Sequence, residues 1–224
     1  MKKLILLFVA SMSFTNSHAD SIRVVRPLII PEERIFERLF GAHFLKVIDP
    51  PILKSFSDSH DWMLTHDLIY SIGNTRVEIT VPKGFVTDFA SIPQPLWSLG
   101  ISPLGKYTKA AIVHDYLYWV QNCTKDQADN ILLIAMKESE VGSWTETEIY
   151  EGVHLAGKPS WKSNSEERSR QLPKIIPPQD QNFPGNVTWV NYRKTLTAKG
   201  VKDPAFPISP AYCKYGDSSN VPKI

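Results

Sequence analysis

The sequence predicts an α+β fold, a β-hairpin or small sheet packed on a three-helix unit with a loop-rich C-terminal extension. Two alternating runs, "WMLTHDLIYSI" and "RVEITVP", flank a Gly-Asn turn and read as a hairpin. Downstream, "KAAIVHDYLYWVQNCTKDQADNILLIAMKE" carries two apolar helical runs separated by "NCTKDQ". A third helix is expected over "TETEIYEGVHLAG", and the chain past Trp161 turns polar and rich in proline.

The elements follow in order. "MKKLILLFVASMSFTNSHA" has Lys2 and Lys3, an apolar run from Leu4 to Ala10, and small residues at Ser17 and Ala19. That pattern predicts a signal peptide over residues 1–19, cleaved after Ala19, and a periplasmic or secreted product. The apolar run is too short for a membrane span. The expected domain occupies residues 20–161 and the extension residues 162–224. "PEERIFERLF" predicts a short helix with Pro31 at its first position. "KGFVTDFASIPQPLWSLGISPLGKY" reads as an ordered loop before the first main helix, expected from about Lys106 to Gln121.

Thr124 and Gln127 have the spacing of a capping box for the second helix, expected to run to about Glu140. Thr145 and Glu148 have the same spacing for the third, with Gly157 at its end. Beyond Trp161 the expectation is loop, with a short strand at "VTWVNY".

Charge excludes one class of partner. Without Lys2 and Lys3 the chain has 23 basic against 23 acidic residues and no basic run, which gives a nucleic-acid partner no support. Cys123 and Cys213 are its two cysteines. In an exported protein they are expected to pair, two free thiols being the alternative.

Polar residues in the helices carry the chemistry. On a helical wheel His114 shares an apolar face with Tyr107, Ala110, Ala111, Leu117 and Tyr118, and Asp115 points about 100° away. Asp129 is flanked by Leu132, Leu133 and Met136, past the first turn where the helix dipole would welcome a carboxylate. A buried carboxylate needs a partner, and His114 and Tyr118 are the nearest candidates if the helices pack antiparallel. The carboxylate would fix the tautomer of His114 and leave its second nitrogen to take a proton from water. Asp115 could hold a hard cation such as calcium beside that site. Asp88 in "FVTDFASIP" is either a second metal ligand or, with Ser91, a local turn. His154 reads as structural, and His66-Asp67 as solvent-facing. No Gly-x-Ser-x-Gly, His-Glu-x-x-His, Walker loop or Cys-x-x-Cys is present.

Two resemblances bear on these residues. "VPKGFVTDFASIP", "GKYTKAAIVHDYLY" and "ADNILLIAM", in that order, resemble an uncharacterised family of phage and bacterial proteins, a domain of unknown function that brings no activity with it. "AAIVHDYLY" followed by "AD" and an apolar helix also resembles the catalytic helix pair of secreted phospholipase A2 enzymes. That resemblance implies His114 as general base, Asp115 as calcium ligand, Asp129 as orienter and Tyr118 as its hydrogen-bond partner, with a lipid or cell-envelope substrate. It departs from the family in lacking the several disulfides between the helices and a close Gly-x-Gly loop before them. Two other functions stay open. One is a zinc or other transition-metal site at Asp88, His114 and Asp115, acting on a peptide or cell-wall bond. The other is a non-enzymatic binding or structural module in which His114, Tyr118 and Asp129 satisfy one another.

Overall fold

A computed structural model describes residues 51–89 and 106–222. The leader, the "PEERIFERLF" helix and most of the loop after Phe89 lie outside the described residues. Within them the architecture is α+β: small antiparallel sheets against a layer of helices.

The first predicted alternating run divides. β2 (Trp62–Leu64) pairs antiparallel with β1 (Leu53–Ser55) on one side and β5 (Val86–Thr87) on the other. β3 (Leu68–Ser71) forms the hairpin with β4 (Glu78–Val81), Leu68 facing Val81 and Ser71 facing Glu78. The break falls at His66-Asp67, where Asp67 accepts a hydrogen bond from the Lys83 backbone N–H at 2.7 Å. The chain is thereby turned from one sheet into the other. Ile79 and Val81 point inward while Glu78 and Thr80 face solvent, the period of two expected of a half-buried strand.

α1 (Thr108–Val120) is the axis of the molecule, every residue except Lys109 being buried. A helix apolar nearly all round must be enclosed on all sides. Here α2 (Lys125–Glu138), α4 (Lys158–Ser169) and the hairpin enclose it. α2 opens with the expected capping box: the Thr124 hydroxyl accepts from the Gln127 N–H, and the Gln127 side chain accepts from the Thr124 N–H. α3 (Ser143–Ala156) starts two residues before Thr145, so the expected Thr145–Glu148 cap is not used. The Val141 N–H closes the end of α2 by bonding to Met136, and the chain re-enters a helix at once after Gly142.

Two segments beyond Trp161 differ from expectation. "KSNSEERS" continues α4, and the predicted strand at "VTWVNY" is instead the start of α5 (Trp189–Ala198). α4 has no fully buried residue, so no apolar stripe marks it in the sequence. In α5 the Thr188 hydroxyl accepts from the Asn191 N–H, and the buried Trp189, Tyr192 and Leu196 follow a spacing of three and four.

The chain past α4 packs back on the earlier elements. Residues 174–176 run beside 84–86, with Val86 N–H bonded to Lys174 O and Ile176 N–H to Gly84 O, both at 2.9 Å. Gly84 has φ +89°, and a side chain there would strike the Ile176 carbonyl, so only glycine lets the two segments meet. Behind them Phe56, Met63 and Val86 form a second core with Phe183, Trp189, Tyr192 and Leu196. The tail is also clipped to α2. Cys123 and Cys213 are bridged, and the 3-10 turn Ala211–Asp217 lies along the helix with Asn130 Nδ2 donating to Gly216 O. No helix among the described residues is long and apolar enough to cross a membrane.

Candidate functional site

The packing of α1 on α2 brings three of the predicted site residues together. His114 and Tyr118, one turn apart on α1, both reach the same oxygen of Asp129. His114 Nε2 lies 2.9 Å from Asp129 Oδ1, and the Tyr118 hydroxyl donates to it at 2.7 Å. The two rings are in contact, their centroids 4.1 Å apart. Asp129 has no exposed surface and His114 only 2%.

The second oxygen has partners the sequence reading did not assign. Lys125 Nζ donates to Asp129 Oδ2 at 2.6 Å, and His154 Nδ1 on α3 lies 3.2 Å from the same atom. Lys125 also donates to the His154 backbone carbonyl at 3.1 Å, tying α2 to α3. The signal for Lys125 was present, since it sits four residues before Asp129 on one helix face. His154 carried none, because a contact between α2 and α3 has no local spacing. Gly157 completes the arrangement: a Cβ there would run into the Tyr118 hydroxyl and the Val153 carbonyl.

Electrostatics divides the pair. Burial favours the neutral ring and holds His114 below its ordinary pKa, more strongly than Asp129 raises it. Burial pushes Asp129 upward, but His114, Lys125 and Tyr118 outweigh it and bring the carboxyl down to about 2. The Tyr118 phenol, desolvated and facing that carboxylate, is pushed well above its ordinary value and stays a donor.

Asp115 faces away from Asp129, toward β5. It is 6% exposed, because α1 is enclosed on the side it faces, and it accepts from the Thr87 hydroxyl at 2.5 Å. The Thr87 hydroxyl also accepts from the Phe89 N–H at 3.2 Å, and Phe89 is a buried residue with φ +53°. This turn presents Asp88 at the surface. Asp88, Asp115, His114 and Tyr118 all line one cavity of about 540 Å³. Asp61, absent from the sequence reading, is there too. Burial and the neighbouring Asp88 and Asp58 carboxylates raise it to about 6. Ser160 and Ser163 of α4, Glu167, Lys174 and Arg193 also line the cavity.

Among the described residues, Asp126, Asp129 and His154 place three donor atoms within 4.8 Å of one another, close enough to hold a metal. The Lys125 ammonium already sits on Asp129 Oδ2, so a cation would have to displace it.

Comparison with known proteins finds partial matches and no described activity. Over 82 residues the chain is 34% identical to a protein of Sinorhizobium fredii (strain NBRC 101917 / NGR234) described as "Uncharacterized protein y4jT". The match covers 36% of this chain and 24% of that protein, so the chain spans about a quarter of its relative. No solved structure matches. Residues 62–153 match the family model described as "Protein of unknown function (DUF1353)". His114, Asp115, Tyr118, Lys125 and Asp129 all lie within the matched residues.

Proposed function

We propose that the protein is an exported hydrolase in which His114 is the general base and Asp129 its orienter. The carrying observation is an imidazole held through Nε2 by a buried carboxylate, on the wall of a cavity that Asp115 and Asp88 also line. With Nε2 directed at Asp129, Nδ1 is the ring atom that takes a proton from water. Burial keeps the ring neutral near pH 7, the state a base requires. Tyr118 and Lys125 hold Asp129 in place and ionised, so it accepts from the imidazole instead of competing for its proton.

Asp115 and Asp88 offer hard oxygen donors suited to calcium, which would polarise a carbonyl and stabilise an oxyanion. The resemblance of α1 and α2 to the phospholipase A2 helix pair makes an ester, first a phospholipid, the expected substrate. The test is hydrolysis of fluorescent phospholipid vesicles by the mature chain, in calcium or chelator, beside His114→Ala. Calcium-dependent release lost in a folded His114→Ala protein is the expected result. No release from folded wild-type protein would overturn the lipase reading.

Tightly retained zinc in the purified protein would favour instead a transition-metal site at Asp88, His114 and Asp115. The four partners of Asp129 favour a third reading, a cluster that only locks helices together. Unfolding of His114→Ala would support it.

A further inference from the structure

We infer that the cavity binds a compact oxyanion at Lys174 and Arg193. Both cations line the cavity. Asp61, Asp88, Asp115 and Glu167 also line it, and Glu167 is paired with Arg193.

Arg193 is held ready for this role. Its Nε donates to Pro173 O at 2.7 Å and its Nη1 to Glu167 at 2.5 Å. The guanidinium lies over the Trp119 and Trp189 rings, 5.3 and 5.6 Å from their centroids. Its remaining nitrogen, Nη2, is enclosed and has no hydrogen-bond partner among the described residues. An enclosed charged donor left unspent costs free energy that an incoming acceptor recovers. Arg193 lines the cavity, so an acceptor bound there is placed to satisfy Nη2.

Lys174 supplies the second charge. Its ammonium lies over Phe85 and Trp119, 5.8 and 5.4 Å from the ring centroids, and makes no ion pair among the described residues. A guanidinium and an ammonium that line one cavity and both lie against the Trp119 ring are suited to a phosphate or carboxylate group. The polar α4 wall, with Ser160 and Ser163, offers further hydroxyls to a hydrophilic ligand.

The inference names ligand chemistry for the proposed active-site cavity, but it stands on binding and not on turnover. Its test is titration of the mature protein, at low salt and pH 7, with inorganic phosphate, acetate and the soluble phosphodiester glycerophosphoglycerol. Binding is followed by calorimetry and by chemical-shift changes at cavity residues. At least one anion is expected to bind saturably, and the preferred one separates a free anion from a lipid headgroup. Lys174→Met is expected to weaken it about tenfold, the worth of one charge-assisted contact. Lys162→Met, on the exposed face of α4, leaves it unchanged. Arg193→Lys tests the fork while keeping charge at a position where deletion risks unfolding. His114→Ala retains binding even if it abolishes hydrolysis, which separates failure of this inference from failure of the catalytic one. No saturable binding of any of the three anions, or equal binding by folded Lys174→Met, overturns it.

Discussion

Asp129 shows how a single buried carboxylate is made tolerable. His114 and Tyr118 meet one oxygen, Lys125 and His154 the other, and none of the four comes from further than the three helices around it. Removing the ammonium leaves that charge short of a partner. Lys125→Met is therefore expected to cost about 3 kcal/mol, the low end for breaking a buried ion pair, measured by urea unfolding at pH 7. Acid acts on the same residues. The folded pKa of His114 is lowered, so its contribution is full above the unfolded value near 6.5 and is lost as pH falls below it. Asp129, lowered to about 2, contributes fully above about pH 4 and loses about 2 kcal/mol as pH falls toward 2. Asp61 has the opposite sign. Raised from 3.8 to about 6, it binds a proton more tightly in the folded state, and the fold weakens as pH rises from about 4 through 6. Asp61→Asn should then stabilise the protein by about 1 kcal/mol at pH 8, after discounting for its partial exposure, and by little at pH 4. Thermal melts at the two pH values check this.

At the scale of elements, the start of α2 matters most, because it sets where Lys125 and Asp129 stand against α1. Thr124→Ala removes the hydroxyl that accepts from Gln127 and breaks a reciprocal cap. The expected loss is about 1 kcal/mol in chemical denaturation. Tyr70 on β3 donates to Glu138 at the other end of α2, so the helix is pinned to the hairpin as well. The junction of α3 and α4 is set by Gly157, which has an ordinary helical φ of −77° and is required for space, not for conformation. Gly157→Ala should displace the Tyr118 hydroxyl from Asp129. Loss of protection for the Tyr118 hydroxyl proton, read by NMR, would show it.

At the scale of the whole molecule, the disulfide joins Cys123 to Cys213 across 90 residues and holds the tail against α2. Its presence accords with an oxidising compartment. Closing a loop of that length stabilises the fold by about 4–5 kcal/mol in the chain-entropy account. Reduction is expected to lower the urea midpoint accordingly, and Cys123→Ser with Cys213→Ser should reproduce the reduced protein. Equal midpoints in oxidised and reduced protein would show that the tail is held by its other contacts, Asn130 with Gly216 and Lys137 with Ser219.

What the sequence determined by itself is whatever depends on neighbours along the chain. The strong apolar periodicity placed α1 and α2, and the Thr124–Gln127 spacing marked the start of α2. A carboxylate at Asp129, in apolar company and beyond the reach of the helix dipole, demanded a partner, and His114 and Tyr118 were the nearest. The α+β class and the Cys123–Cys213 pairing were legible for similar reasons. Only the tertiary structure decided the rest. α4 is polar apart from Trp161 and owes its place to packing on α1, so periodicity could not reveal it. α5 reads as a strand over its first residues, and becomes a helix because Trp189, Tyr192 and Leu196 then share the face that meets Phe56 and Met63. His154 reaches Asp129 from 25 residues away, and Asp61, Lys174 and Arg193 come to the cavity from three separate segments. Burial, which sets the charge of His114 and Asp61, is a property of the assembled molecule and has no signature in local order.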